Sequence, residues 1–67
     1  MTAKQLETLL EIWKRVDQTK PFDDVYIADL DQRHIAALQK TGHIIWNGRQ
    51  VASLTQKGII KIQFTLE

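Results

Sequence analysis

Ile44-Ile45-Trp46-Asn47-Gly48-Arg49-Gln50-Val51-Ala52 is the stretch on which the fold turns. β-Branched and aromatic residues flank Asn-Gly, the pair that best tolerates two successive positive φ angles. The segment therefore predicts a β-hairpin with a two-residue type I′ turn. Such a turn dictates the register. Trp46 then faces Arg49, Ile45 faces Gln50 and Ile44 faces Val51, which puts Ile44, Trp46, Arg49 and Val51 on one face. A hairpin with one apolar face needs a cover, and amphipathic helices are the usual one.

The chain before the hairpin supplies two. Thr2-Ala3-Lys4-Gln5 is a capping-box pattern, in which Thr2 accepts from the Gln5 N–H and Gln5 reaches back. Leu6, Leu9, Leu10, Trp13 and Val16 follow at helical spacing, while Lys4, Glu7, Glu11, Lys14 and Arg15 face water. This predicts a helix over residues 3–17, ended by Lys20-Pro21. A second helix is predicted over residues 30–41, carrying Ile35, Ala36, Leu38 and Gln39. Asp29 or Asp31 is its N-cap, Lys40 lies in its last turn and Gly42 suits the left-handed position just past its end. Between the helices, Val25-Tyr26-Ile27 reads as a short strand, or the segment 21–30 as one helical turn packed by Phe22, Tyr26 and Leu30.

Past the hairpin, Thr55-Gln56-Lys57-Gly58 predicts a turn with Gly58 at positive φ. Residues 60–67 then alternate. Ile60, Ile62, Phe64 and Leu66 are apolar; Lys61, Gln63, Thr65 and Glu67 are polar. That pattern predicts a third strand. A helical reading gathers Ile59, Ile62 and Leu66 but scatters Ile60 and Phe64. The expected architecture is a single α+β domain over residues 1–67: an N-terminal helix, a second helix, a hairpin wing and a third strand.

Sixty-seven residues leave room for one domain. So short a chain buries only about 60 % of the surface that its unfolded form exposes. There is no cysteine, so neither disulfides nor thiolate-bound zinc can staple the fold. No stretch approaches the roughly 20 apolar residues that a membrane span requires, so no membrane partner is expected. The N-terminus lacks a secretory pattern, and a cytoplasmic location is the expectation. A net charge of +1 argues against a protein that coats nucleic acid by charge alone.

Chemistry-bearing constellations are sparse. His34 and His43 lack a third ligand, and Asp23, Asp24, Asp29 and Asp31 suit caps and solvated loops better than a cation site. Ser53 has no glycine elbow and no histidine at motif spacing. Three isolated glycines form no phosphate loop. No catalytic residue, metal site or cofactor is expected. A protein that binds, rather than an enzyme, is.

Leu38-x-x-x-Gly42-x-Ile44, the hairpin tip at Asn47-Gly48 and Leu54-Thr55-x-Lys57-Gly58 together resemble winged-helix domains of the bacterial MarR-like and PadR-like regulators, over residues 30–58. In those regulators two helices stand between the first helix and the wing, and the leucine-threonine-x-lysine-glycine stretch opens a helix. The resemblance implies a small duplex-DNA-binding protein, a transcriptional regulator or accessory factor that works as a homodimer. Its second helix would enter the major groove and its wing would touch phosphate or the minor groove. Carried over by position, the helix contributes Gln32, Arg33, Gln39 and Lys40, the wing Asn47, Arg49 and Gln50, and the closing stretch Lys57. Gln and Arg can contact adenine and guanine edges bidentately.

Simpler roles stand beside these. Asn47-Gly48 is explained by turn geometry, Lys40 by the helix dipole, and Arg49 by a cation–π contact with Trp46. Trp13 and Trp46 are expected in the core. The alternative function is a protein-protein interaction module without DNA binding. It predicts an exposed apolar patch, where the DNA reading predicts Arg33, Lys40, Arg49 and Lys57 on one face.

Overall fold

Thr2 opens the first helix by the expected box. Its hydroxyl accepts from Gln5 N at 3.2 Å, and Gln5 Oε1 accepts from Thr2 N at 3.2 Å. In the computed structural model, which describes residues 1–66, the chain runs α1 (Ala3–Arg15), β1 (Asp24–Tyr26), α2 (Gln32–Lys40), β2 (Ile44–Trp46), β3 (Val51–Leu54) and α3 (Gln56–Leu66). It is an α+β domain of three helices and a three-stranded antiparallel sheet, in the order β1-β3-β2. Val25, Ala52, Leu54 and Ile44 point to the inner face of the sheet. There they meet Leu9 and Ile12 of α1, Ile35 and Leu38 of α2 and Ile62 of α3 in one buried cluster. Trp13 and Trp46 pack against its margin, half-buried.

The segment between the first two helices resolves as the strand. Val25 is buried while Asp24 and Tyr26 point outward, the alternation of an edge strand with one covered face. Arg15, in the last turn of α1, anchors the connection from β1 to α2. Its guanidinium forks onto both carboxylate oxygens of Asp29 at 2.7 Å each and also reaches the Tyr26 carbonyl and Glu11. Asp31, not Asp29, caps α2 by accepting from Arg33 N. Only a turn at Ile27–Leu30 separates β1 from α2, so α2 packs directly on α1 and β2 with no helix before it in that connection.

Three expectations are corrected. The hairpin exists, but without a type I′ turn. Asn47 has no positive φ; Gly48 alone does, at 82°. Asn47 Oδ1 instead accepts from Arg49 N at 2.8 Å and Val51 N at 3.4 Å, and Asn47 N donates to Val51 O, closing a loop of Gly48, Arg49 and Gln50. The side chain thus supplies the turn's hydrogen bonds, as Asx side chains do. The register is Trp46 opposite Ala52, Ile45 opposite Ser53 and Ile44 opposite Leu54. It differs from the predicted one by an odd number of residues, which exchanges the faces of β3. Ala52 and Leu54 join Ile44 and Trp46 inside, and Val51 turns outward. Arg49 lies in the loop, and Trp46 meets it through its indole N–H, which donates to the Arg49 carbonyl at 3.0 Å.

The second correction is that residues 56–66 form α3, a helix where alternation predicted a strand. β3 is the central strand, flanked by β1 and β2. The chain leaving it through a tight turn finds both of its edges occupied, and cannot fold back to pair. Helix formation instead drives Ile62 into the core with Ile59 beside it, and leaves Ile60 and Phe64 outside. The third strand of the sheet is β1. Glu67, the last residue of the predicted strand, lies outside the described residues.

Third, Gly58 is helical, and the positive-φ glycines are Gly42 and Gly48. Gly58 is required for a different reason. A Cβ there would overlap the carbonyl oxygen of His43, because α3 crosses the backbone at the start of β2 with no space between them.

Candidate nucleic-acid interface

α2 buries Ile35 and Leu38, and its opposite face presents Gln32, Arg33, Ala36, Gln39 and Lys40 to solvent. Period 3.6 makes this arrangement from the sequence alone: residues 32, 36, 39 and 40 follow one side of the cylinder. Arg33 is partly committed. Its Nη2 sits 3.0 Å from Asp31 Oδ2, which holds the Asp31 carboxyl down at about 2, although the Arg33 side chain itself stays 88 % exposed. Gln32, Gln39 and Lys40 have no side-chain partner among the described residues.

The hairpin tip is held at its backbone and open at its side chains. The Arg49 N–H is taken by Asn47, the Arg49 carbonyl by Trp46, and the Gln50 carbonyl by Ile27 N at 2.8 Å. The Arg49 and Gln50 side chains therefore project from a fixed loop. Asn47 is exposed, but its side chain is spent on that loop.

Lys57, expected as a DNA contact, also serves the fold while remaining exposed. Its ammonium donates to the Thr41 carbonyl at 2.7 Å, at the C-terminal end of α2. The helix dipole makes a cation favourable there. The rest of its motif is structural too. Thr55 Oγ1 accepts from Gly58 N and donates to the Gly42 carbonyl at 2.6 Å, and Thr55 N donates to the His43 carbonyl. Leu54-Thr55-x-Lys57-Gly58 is thus a clasp. It caps α3 with Thr55, caps α2 with Lys57 and lets the two ends touch at Gly58.

His43 lies inside this clasp, 9 % exposed, with Nδ1 2.6 Å from Thr41 Oγ1. Burial, followed by the charges of Lys57 and Lys61, lowers its pKa below the ordinary value.

Charge along the chain is sharply divided. From Gln32 to Leu66 every charged side chain is basic: Arg33, Lys40, Arg49, Lys57 and Lys61. All the acidic residues of the described chain precede α2. The net value of +1 conceals this separation, and counting charges by segment reveals it without a structure. No family model, curated protein or solved structure matches the chain.

The four predicted residues of α2 share its outer face, and Lys57 adjoins that helix's end. Arg49 and Gln50 lie at the separate hairpin tip. Among the described residues, no cluster of three or more histidine and acidic side chains is assembled. No helix among them is long and apolar enough to cross a membrane.

Proposed function

We propose that the protein binds duplex DNA, with the outer face of α2 as the reading surface and the β2–β3 tip as a phosphate contact. The observation that carries this reading is the exclusively basic charge of the stretch from Gln32 to Leu66. A phosphate backbone is attracted to the basic side chains of that stretch, where no acidic side chain opposes it. Gln32 and Gln39 offer the amide groups suited to adenine edges, and Arg33 and Lys40 flank them. The helix-before-hairpin order and the β1-β3-β2 sheet support the winged-helix resemblance. The missing helix ahead of α2 departs from it.

The reading is tested by amide NMR during addition of a random-sequence duplex at low salt. Shifts concentrated on residues 32–40 and 48–50, and reversed by salt, are expected. The logarithm of the binding constant should fall with the logarithm of salt at a slope of roughly 3, since each neutralised phosphate contributes about 0.9 and Arg33, Lys40 and Arg49 are the available contacts. Lys40→Gln and Arg49→Gln should each reduce that slope by about 1. Absence of shifts at high DNA concentration would defeat the reading. It would leave the module as one that binds protein, a use favoured by the uncovered apolar side chains Ile60 and Phe64.

A further inference from the structure

Among the exposed apolar side chains of the described residues, two groups differ in their charged neighbours, Asp23 and Asp24 beside one and Lys61 beside the other. The first comprises Tyr26 on the outer face of β1, 61 % exposed, Ile45 of β2 on the same face of the sheet, 64 % exposed, and Phe22 just ahead of β1, 60 % exposed. Asp23 and Asp24 stand between Phe22 and Tyr26 in sequence, and Asp24 shares the outer face of β1 with Tyr26. The second is Ile60 with Phe64 on α3, Phe64 being 72 % exposed. These two residues are one helical turn apart, and Lys61 lies beside them on the same exposed side. A helix that is apolar toward the core and apolar toward solvent ordinarily has both faces covered.

One patch cannot cover the other within a single chain. α3 packs through Ile62 on the inner face of the sheet, whereas Tyr26 and Asp24 leave from the outer face. The sheet stands between them. Between two chains the match is direct, because aromatic meets aliphatic and the acidic pair meets lysine.

We propose that the protein self-associates head to tail, the α3 ridge of one copy seating on the Phe22–Tyr26 patch of the next. The contact is heterologous, since each copy uses two different surfaces, and it leaves a free patch at either end. It therefore builds a ring, where the rotation between copies closes, or an open series, where it does not, rather than a symmetric α3 pair. The charge complementarity favours the acidic β1 patch of a second copy over its α3, because α3 against α3 would bring Lys61 toward its twin. The contact needs no DNA, so it stands independently of the DNA-binding reading.

Sedimentation equilibrium of the full chain without DNA tests it. The weight-average mass should climb with concentration beyond twice the chain mass of 7.8 kDa, and fall as salt is added, because the rim charges are screened. Lys61→Glu alone, and Asp23→Lys with Asp24→Lys alone, should each return a single-chain mass. Combining all three substitutions restores the opposite-charge match, and association should reappear. That rescue also shows that the separate variants were folded. A mass that stays at one chain into the millimolar range overturns the proposal. So does a plateau at two chains, or loss with Lys61→Glu that the combined variant does not repair, since either result indicates a symmetric α3 pair.

Discussion

Gly58 has the most demanding position in the chain. Its neighbour is the backbone carbonyl of His43, and a carbonyl cannot rotate aside as the end of a side chain can. Gly58→Ala must part α3 from the start of β2, and Ile62 loses its seat. The expected cost is about 1–3 kcal/mol, as for overpacking of a filled core. Its opposite sign in an ordinary helix, where alanine is favoured over glycine by about 1 kcal/mol, makes the test sharp. Chemical denaturation of the variant measures it, and unchanged or raised stability would refute the close contact. Residue spacing marks this glycine but assigns it to a turn, because the atom it avoids belongs to a residue fifteen positions earlier.

At the scale of elements, the hairpin shows how a right assignment can carry a wrong register. Asn-Gly between apolar runs is enough to locate β2 and β3. The loop geometry depends on whether Asn47 uses its backbone or its side chain, and the side chain prevails. Asn47→Ala is expected to cost about 1 kcal/mol, the usual contribution of such hydrogen bonds, since it orphans the Arg49 and Val51 N–H groups. Thermal melting followed through Trp46, whose indole is bonded to the same loop, reports this directly. A variant as stable as the parent would mean that the loop holds its shape without the Asn47 side chain. α1 and α2 are legible almost to their ends, because caps and 3.6-residue periodicity are local. α3 is not, because its alternating residues fit a strand equally well.

For the molecule as a whole, stability should fall with acid in two windows. His43 has a lowered pKa in the folded chain. The unfolded chain therefore takes up the proton first, and stability present above the ordinary value of 6.5 is progressively lost as pH falls below it. Asp29 and Asp31 lie near 2 when folded against a usual 3.8, held down by Arg15 and Arg33 respectively. Their contribution is present above 3.8 and is lost between there and about 2. Both carboxylates meet solvent, so the second loss is small and diminishes further in salt. Melting temperature against pH should show the first decline, and His43→Gln should flatten it. If that variant keeps the same decline, another group is responsible.

Caps, helical stripes, the position of the hairpin and the absence of acidic residues between Gln32 and Leu66 were determined by the sequence itself. Each depends on neighbours within a few positions, or on no neighbours at all. The tertiary structure decided which strand stands at the centre, and with that the fate of residues 56–66. Once β1 and β2 occupy both edges of β3, the following chain cannot pair with the strand it leaves, and as a helix it satisfies its own N–H and C=O groups. It likewise decided that Lys57 caps α2 while Arg49 stays free, because one lies against a helix end and the other at a loop tip.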